Sequence, residues 1–190
     1  GAILLALVVL YFINSRSQQQ LVGRLSPIFS SESSEVFMIE IYQAQDTIRI
    51  VKNTETSWDI LDNDSLVVRP DQIDRFIDQV LGLSKETTIS RNPKKYATYA
   101  VDDSSGTHLV VTGYNGVELG RYVFGRSKSS WNKNHIRIAG DSLVYQTSEN
   151  VMHLISTSLS TWGQAPPEVV PEAEPSADST LVLPSPASTR

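Results

Sequence analysis

The sequence predicts an α+β protein in which an apolar N-terminal helix precedes an antiparallel-sheet domain. Three observations lead to this expectation. The first thirteen residues carry no charged side chain. Runs rich in β-branched and aromatic residues then alternate with turn residues between 36 and 145, a pattern typical of strands. Two stretches, beginning at Asp71 and Ser148, have the apolar spacing of amphipathic helices, and we expect both helices to pack on the sheet.

Residues 1–13 are the first of four predicted regions, a transmembrane anchor. A bilayer core requires about twenty helical residues, so we expect further apolar residues before Gly1. Tyr11 and Phe12 suit the aromatic belt at a membrane interface and are candidate contact residues. A signal peptide is one alternative, although no small-residue cleavage motif follows at 14–17. A buried helix or strand of the folded core is the other.

Three regions follow the anchor. Residues 14–34 are rich in Ser and Gln and predict a linker, and residues 35–163 form the α+β domain. Residues 164–190 contain six of the nine prolines. Such a composition buries too little apolar area to offset the entropy of ordering, so we expect an extended tail.

The sheet domain divides into strands and two helices. The predicted strands are 36–42, 47–52, 57–61, 65–68, 86–90, 107–112, 117–124, 135–138 and 142–145. Asp71 should cap the first helix and Gly82 should end it in a left-handed conformation. Ser148 should cap the second. Asp64-Ser-Leu-Val recurs as Asp141-Ser-Leu-Val, which suggests a duplicated unit of strands followed by a helix.

Sites for chemistry are scarce in the sequence. The net charge of −5 argues against nucleic-acid binding, and there is no cysteine to ligate a metal or act as a nucleophile. His108, His135 and His153 lack metal-ligand spacing. Asp102 and Asp103 suit a plain acidic turn. We therefore expect no enzymatic activity, no cofactor, no metal and no small-molecule substrate.

One loop is a candidate contact surface. Residues 125–134 are polar and basic, and Trp131 stands among Arg126, Lys128 and Lys133. A tryptophan surrounded by cations is typical of an interface anchor or of a contact with a membrane surface. The alternative is that Trp131 folds back over an edge of the core.

The chain resembles a bacterial family, domain of unknown function 4340. The similarity begins at Asn92-Pro93, and Tyr99-Ala-Val-Asp-Asp103 resembles the family's Tyr-Gly-Leu-Asp-Asp turn, although Ala100 stands where the family usually has glycine. Gly125-Arg126 and the stretch 135–145 continue the similarity. The resemblance implies a membrane-anchored envelope protein, in some members associated with ABC-type or gliding-motility export systems. It implies no catalytic residues.

These observations give one expected function and two alternatives. We expect a non-enzymatic, single-pass membrane-anchored accessory or scaffolding subunit that stabilises a larger integral membrane protein complex. It would contact membrane lipid at the bacterial inner membrane, with its domain in the periplasm. The first alternative is a ligand- or substrate-binding auxiliary module of such an export system. The second is an envelope hydrolase that uses Ser, His and Asp.

Overall fold

The computed structural model describes residues 26–166. The strands in this part are β1 (Ser26–Pro27), β2 (Val36–Gln43), β3 (Asp46–Lys52), β4 (Trp58–Ile60), β5 (Val67–Val68), β6 (Ser84–Ser90), β7 (Thr107–Gly113), β8 (Glu118–Arg126), β9 (Asn134–Ile138), β10 (Val144–Thr147) and β11 (Gly163–Gln164). Helix α1 is α-helical over Pro70–Arg75 and continues as a π-helix over Phe76–Leu81. Helix α2 is the single turn Leu159–Trp162. Each predicted strand has a counterpart among β2–β10.

The sheet joins both halves of the described chain. Nine strands are ordered β1-β6-β10-β9-β8-β7-β2-β3-β4, and β5 pairs separately with β11. Neighbouring strands are antiparallel, as predicted. The hairpin of β7 and β8 turns at Asn115 and Gly116, both at positive φ, which is the conformation that an Asn-Gly pair favours.

One face of the sheet carries the main core. Ile39 and Ile41 of β2 lie opposite Ile50 and Ile48 of β3, and all four are buried. Because side chains of a strand alternate between faces, the residues between them point to the other side. This alternation is the reason that the sequence identifies these strands correctly.

Helix α1 covers the core face. Ile73, Phe76 and Val80 recur at helical spacing and are buried. The Phe76 ring meets the edge of Trp162, with ring centroids 5.7 Å apart, so α2 closes the core beside α1. Ile77 and Leu81 are partly buried against the same core, so the predicted apolar stripe of five residues between 73 and 81 is confirmed.

The ends of α1 differ from the prediction. The helix begins at Pro70. Backbone N–H groups in the first turn of a helix have no acceptor within the helix, so proline, which lacks an N–H, is favoured there. Asp71 does not cap it: the Asp71 carboxylate accepts a hydrogen bond from Arg75 at 2.6 Å. Gly82 is right-handed, with φ −77°. The wider π turn carries the chain out of the helix without a left-handed residue.

The second predicted helix is wrong. Residues 148–158 form turns and bends. Val151, Leu154 and Ile155 are buried, as the helical spacing requires, but turns bury them equally well. The backbone N–H of Val151 donates to Asn134 Oδ1 at 2.7 Å, so a side chain from another strand takes the place of helical hydrogen bonding.

The predicted duplication is also wrong, because turns and bends, not a helix, directly follow the strands of the second unit. Val67 and Val144 each begin a strand, but β5 pairs with β11 and β10 lies inside the large sheet. Ser148 donates its N–H to the carbonyl oxygen of Ser84 at 3.0 Å. It thereby continues the pairing of β10 with β6 instead of capping a helix.

The opposite face of the sheet is partly covered by residues 91–106. Val101, Val123 and Val144 form a second, smaller buried cluster there. Part of the segment consists of the 3-10 turns Pro93–Lys95 and Ala97–Tyr99. This cover places the family-like turn directly behind β8 and β9.

The folded domain starts earlier than residue 35. Ile28 and Phe29, which belong to the predicted linker, are buried in the main core. Within residues 26–166, no helix has the length and apolar character needed to cross a bilayer. The predicted anchor at 1–13 and the tail beyond Pro166 lie outside the described residues.

Candidate docking site

The loop that joins β8 to β9 is held by its own serines. The strands separate after Arg126 and Asn134 pair. Ser127 Oγ accepts the backbone N–H of Ser130 at 3.1 Å, and the carbonyl oxygen of Ser130 accepts the N–H of Lys133 at 3.2 Å. The loop is therefore a defined turn that presents its tip, rather than an open strand connection.

Trp131 stands at this tip and does not fold back on the core. Its side chain is 87% exposed, whereas Trp58 is 9% and Trp162 0% exposed. A tryptophan buries up to about 250 Å² when it is covered. Leaving so large an apolar surface in water is costly, and such surfaces are typical of interaction sites.

A cleft of about 400 Å³ opens beside Trp131. It lies between the loop and the turns that follow β10. Its lining residues are Arg126, Ser127, Trp131, Asn134, Asn150, Met152 and His153. Arg126 and Trp131 were predicted contact residues. Ser127 and Asn134 belong to the predicted contact loop but were not singled out. The other three were missed, because the sequence predicts a helix where Asn150, Met152 and His153 lie, and nothing local links them to residue 131.

Asn150 fastens the two walls of the cleft. Its Nδ2 donates to the carbonyl oxygen of Trp131 at 2.5 Å, and its Oδ1 accepts the N–H of Met152 at 3.0 Å. The cleft is therefore prebuilt. A partner would only have to shift walls that are already ordered, which keeps the entropic cost of association low.

Asn134 lies at the floor of the cleft and is only 1% exposed. Its Oδ1 is used by Val151. Its Nδ2 has no hydrogen-bond partner among residues 26–166. An enclosed polar group without a partner costs about 1–3 kcal/mol, so the fold retains a donor at this position that its own residues do not satisfy.

The predicted basic residues divide into two groups. Arg126 and Lys128 are exposed, and neither forms an ion pair within the described part of the chain. Lys133 forms an ion pair with Glu86 of β6 and is already neutralised. Tyr11 and Phe12 lie outside the described residues.

The acidic pair of the family-like turn serves the turn itself. Hydrogen bonds from Ser104 and Ser105 hold the pKa of Asp102 well below its usual range. Asp103 accepts from Arg137 Nη2 at 2.5 Å. Both carboxylates are therefore engaged locally, in agreement with a plain acidic turn.

The turn retains its geometry although it carries alanine. Ala100 adopts the left-handed conformation, with φ 53° and ψ 38°, which glycine adopts without steric cost. Opposite it, Gly125 lets the turn lie directly on β8: a Cβ there would stand 2.2 Å from the carbonyl oxygen of Tyr99. His135 Nδ1 contacts this same oxygen at 3.0 Å.

The three histidines lie apart. His108 Nε2 contacts the carbonyl oxygen of Asp103 at 3.3 Å, and burial lowers the pKa of His108. His135 contacts the carbonyl oxygen of Tyr99, and His153 is exposed in the cleft. Between residues 26 and 166 we find no hydrogen bond from a histidine to a serine hydroxyl and no cluster of residues suited to hold a metal.

Comparison with known proteins identifies one family. Neither the curated proteins nor the solved structures include a match. The sequence profile described as "Domain of unknown function (DUF4340)" matches residues 58–165, more than half of the 190 residues. The match covers β4 to β11 and includes the turn around Ala100, Gly125 and the Trp131 loop. The chain therefore belongs to the DUF4340 family.

Proposed function

We propose that this chain is a non-enzymatic accessory or scaffolding subunit that stabilises a larger membrane protein complex. In this proposal the Trp131 cleft, defined by the seven lining residues above, is the surface that docks on a partner subunit. The observation that carries the proposal is the 87% exposure of Trp131 at the edge of a prebuilt cleft.

Interface energetics support this role for Trp131. Tryptophan and arginine are enriched among the few residues that contribute most binding energy. Here an exposed tryptophan and an exposed arginine, Arg126, line one cleft. The hydrogen bonds of Asn150 fix the backbone beneath the indole, so the loop loses little conformational freedom when a partner covers it.

The membrane part of the proposal rests on the sequence. Residues 1–13 are uncharged and mostly aliphatic, which favours a single-pass anchor at the bacterial inner membrane. A periplasmic position for the domain follows from the family resemblance. An anchor keeps the domain near membrane proteins, and this proximity raises the effective concentration for docking.

Purification of the full-length protein in mild detergent tests the proposal. We expect wild type to elute with partner subunits in a defined complex and the Trp131→Ala variant to elute without them. Tyr114→Ala is the matched control, because Tyr114 is also an exposed aromatic, 50% exposed, but lies on the β7–β8 hairpin. A wild-type protein that elutes alone, or a complex that survives Trp131→Ala, would contradict the proposal.

A ligand-binding auxiliary module of an export system is the second candidate. The cleft volume of about 400 Å³ favours it, since small-molecule sites occupy roughly 300–1,000 Å³. The core offers no such space near Phe29 and Tyr122, where a cavity of about 10 Å³ remains. Native mass spectrometry of the purified protein distinguishes the candidates: a retained small molecule that is lost in Trp131→Ala would favour the module.

A further inference from the structure

The cleft presents positive charge toward its occupant and encloses a hydrogen-bond donor, Asn134 Nδ2, at its floor. None of its lining residues is acidic. Arg126 lies on its rim and Lys128 lies in the same loop, both exposed and outside the ion pairs of the described residues. By contrast, Arg121 is bound by Glu118, and Arg137 by Asp103. Within the described residues no carboxylate neutralises Arg126 or Lys128, so both cations are available to pair with a molecule outside the domain.

The floor of the cleft lacks an acceptor. Asn134 is fixed through Oδ1, which holds the Val151 N–H at 2.7 Å, so the amide cannot turn to satisfy Nδ2. That Nδ2 is without a partner in the part of the chain that the structure describes. An oxygen that reaches the floor would complete it, whereas an apolar occupant would leave it unsatisfied.

The walls of the cleft add apolar surface. Trp131 forms one side and Met152, half-buried, forms another. Methionine adapts its shape to irregular partners and packs well beside aromatic rings. The cleft thus combines an apolar wall, a buried donor and two cations that have no ion-pair partner among residues 26–166, within one loop-and-turn surface.

We propose that the Trp131 cleft binds an acidic segment of a partner protein, in which Asp or Glu carboxylates face Arg126 and Lys128. An oxygen of the segment accepts from Asn134 Nδ2 after a small outward shift of the loop, and an apolar neighbour packs on Trp131. This inference rests on the proposed docking function and names the chemistry of the partner.

A concave site favours a protein segment over an anionic membrane surface. Protruding aromatic and basic side chains are sufficient to contact a layer of lipid headgroups. A donor enclosed at the floor of a cleft requires an occupant that enters, and a side chain of an extended segment does so. Carboxylates also form charge-assisted hydrogen bonds with arginine, which are stronger than neutral ones.

Charge reversal in the complex tests the proposal. Arg126→Glu and Lys128→Glu are introduced into the full-length protein, with Lys94→Glu as the matched control, because Lys94 is exposed on the far side of the sheet. Two synthetic probes are used: the acetylated peptide amide Glu-Leu-Glu-Leu-Glu and its Gln-Leu-Gln-Leu-Gln counterpart. A blue shift of the Trp131 emission, as its indole is covered, reports binding, since the other two tryptophans are already buried.

We expect the glutamate peptide to bind at least tenfold more tightly than the glutamine peptide, and each reversal at the cleft to weaken it about tenfold. Lys94→Glu should leave its affinity unchanged. Raising the salt from about 0.1 to 1 M should also weaken binding, because the Debye length falls to roughly 3 Å. Equal binding of both peptides, no binding of the glutamate peptide, or binding of phosphatidylglycerol vesicles alone would overturn the proposal.

The outcomes also separate this inference from the docking function. If Trp131→Ala dissociates the complex and the two charge reversals leave it intact, docking stands and the acidic partner is refuted. If the complex survives Trp131→Ala, the docking function itself is refuted.

Discussion

The contact between Gly125 and the family-like turn gives the sharpest stability prediction. In Gly125→Ala the new Cβ would lie 2.2 Å from the carbonyl oxygen of Tyr99 and 2.6 Å from that of Ala100. Both atoms belong to backbone, so no side chain can rotate away. The turn and β8 must separate by roughly 1 Å to restore a normal contact.

The magnitude follows from what this separation disturbs. Overpacking a well-filled site costs about 1–3 kcal/mol. The shift also weakens the bond of Arg137 Nε to the carbonyl oxygen of Val101, now 2.9 Å, and the contact of His135 with Tyr99, now 3.0 Å. Each such bond contributes about 0.5–1.5 kcal/mol. We expect a total loss of about 2–5 kcal/mol in the free energy of unfolding.

Urea unfolding, followed by tryptophan fluorescence, measures this loss. Gly116→Ala is the comparison, because Gly116 has φ 75° but no atom within 4 Å of an added Cβ. It should lose only about 1 kcal/mol from backbone strain. If Gly125→Ala costs no more than Gly116→Ala, the turn does not lie on β8 as described.

Three further predictions concern the turn and the loop. Ala100→Gly should raise the free energy of unfolding by about 0.5–1 kcal/mol, because Ala100 is left-handed; an unchanged melting temperature would contradict this. The double variant Lys133→Ala/Glu86→Gln removes both charges of this pair and should lower stability by less than about 1 kcal/mol and leave partner binding unchanged; weakened binding in a pull-down would refute that assignment. Asp102 has a lowered pKa, so its carboxylate stabilises the fold above the ordinary value of 3.8 and loses this contribution as the pH falls below it. The stability difference between wild type and Asp102→Asn should therefore be constant near neutral pH and shrink in acid, and a difference that is flat through the acid range would contradict this.

The local patterns of the sequence predict most of the sheet. The alternation of Ile48 and Ile50 around Arg49, and the Asn115-Gly116 turn, depend on neighbours within a few residues, and the structure confirms both. The stripe of α1 is equally local. Its cap is predicted wrongly at Asp71, because Pro70 and Asp71 offer competing starts and the helix begins at the proline.

The segment after β10 shows where local patterns fail. Val151, Leu154 and Ile155 have helical spacing, but a side chain seventeen positions earlier, Asn134, holds the backbone of Val151. Asn134 lies on a strand outside the stretch that has the helical spacing, so the spacing of that stretch does not reveal the bond. The turns held by this bond form one wall of the cleft, so three of its seven lining residues were missed together with the wrong helix.

Local composition does identify the exposed half of the candidate site. Trp131 and Arg126 stand out in a polar loop and both line the cleft. Lys133 stands out equally, yet its partner Glu86 lies on a strand distant in sequence. Which cation remains unpaired is decided by the pairing of strands, and composition alone does not contain that information.

One measurement tests the docking function most directly. A photo-crosslinking amino acid is placed at Asn132, which is exposed next to Trp131, in the full-length protein in intact cells. The site and its chemistry predict crosslinks to one partner subunit, mapped by mass spectrometry to a segment rich in Asp and Glu, and none from the same probe at Lys94. Crosslinks to lipid alone, or equal crosslinks from both positions, would contradict docking through the Trp131 cleft.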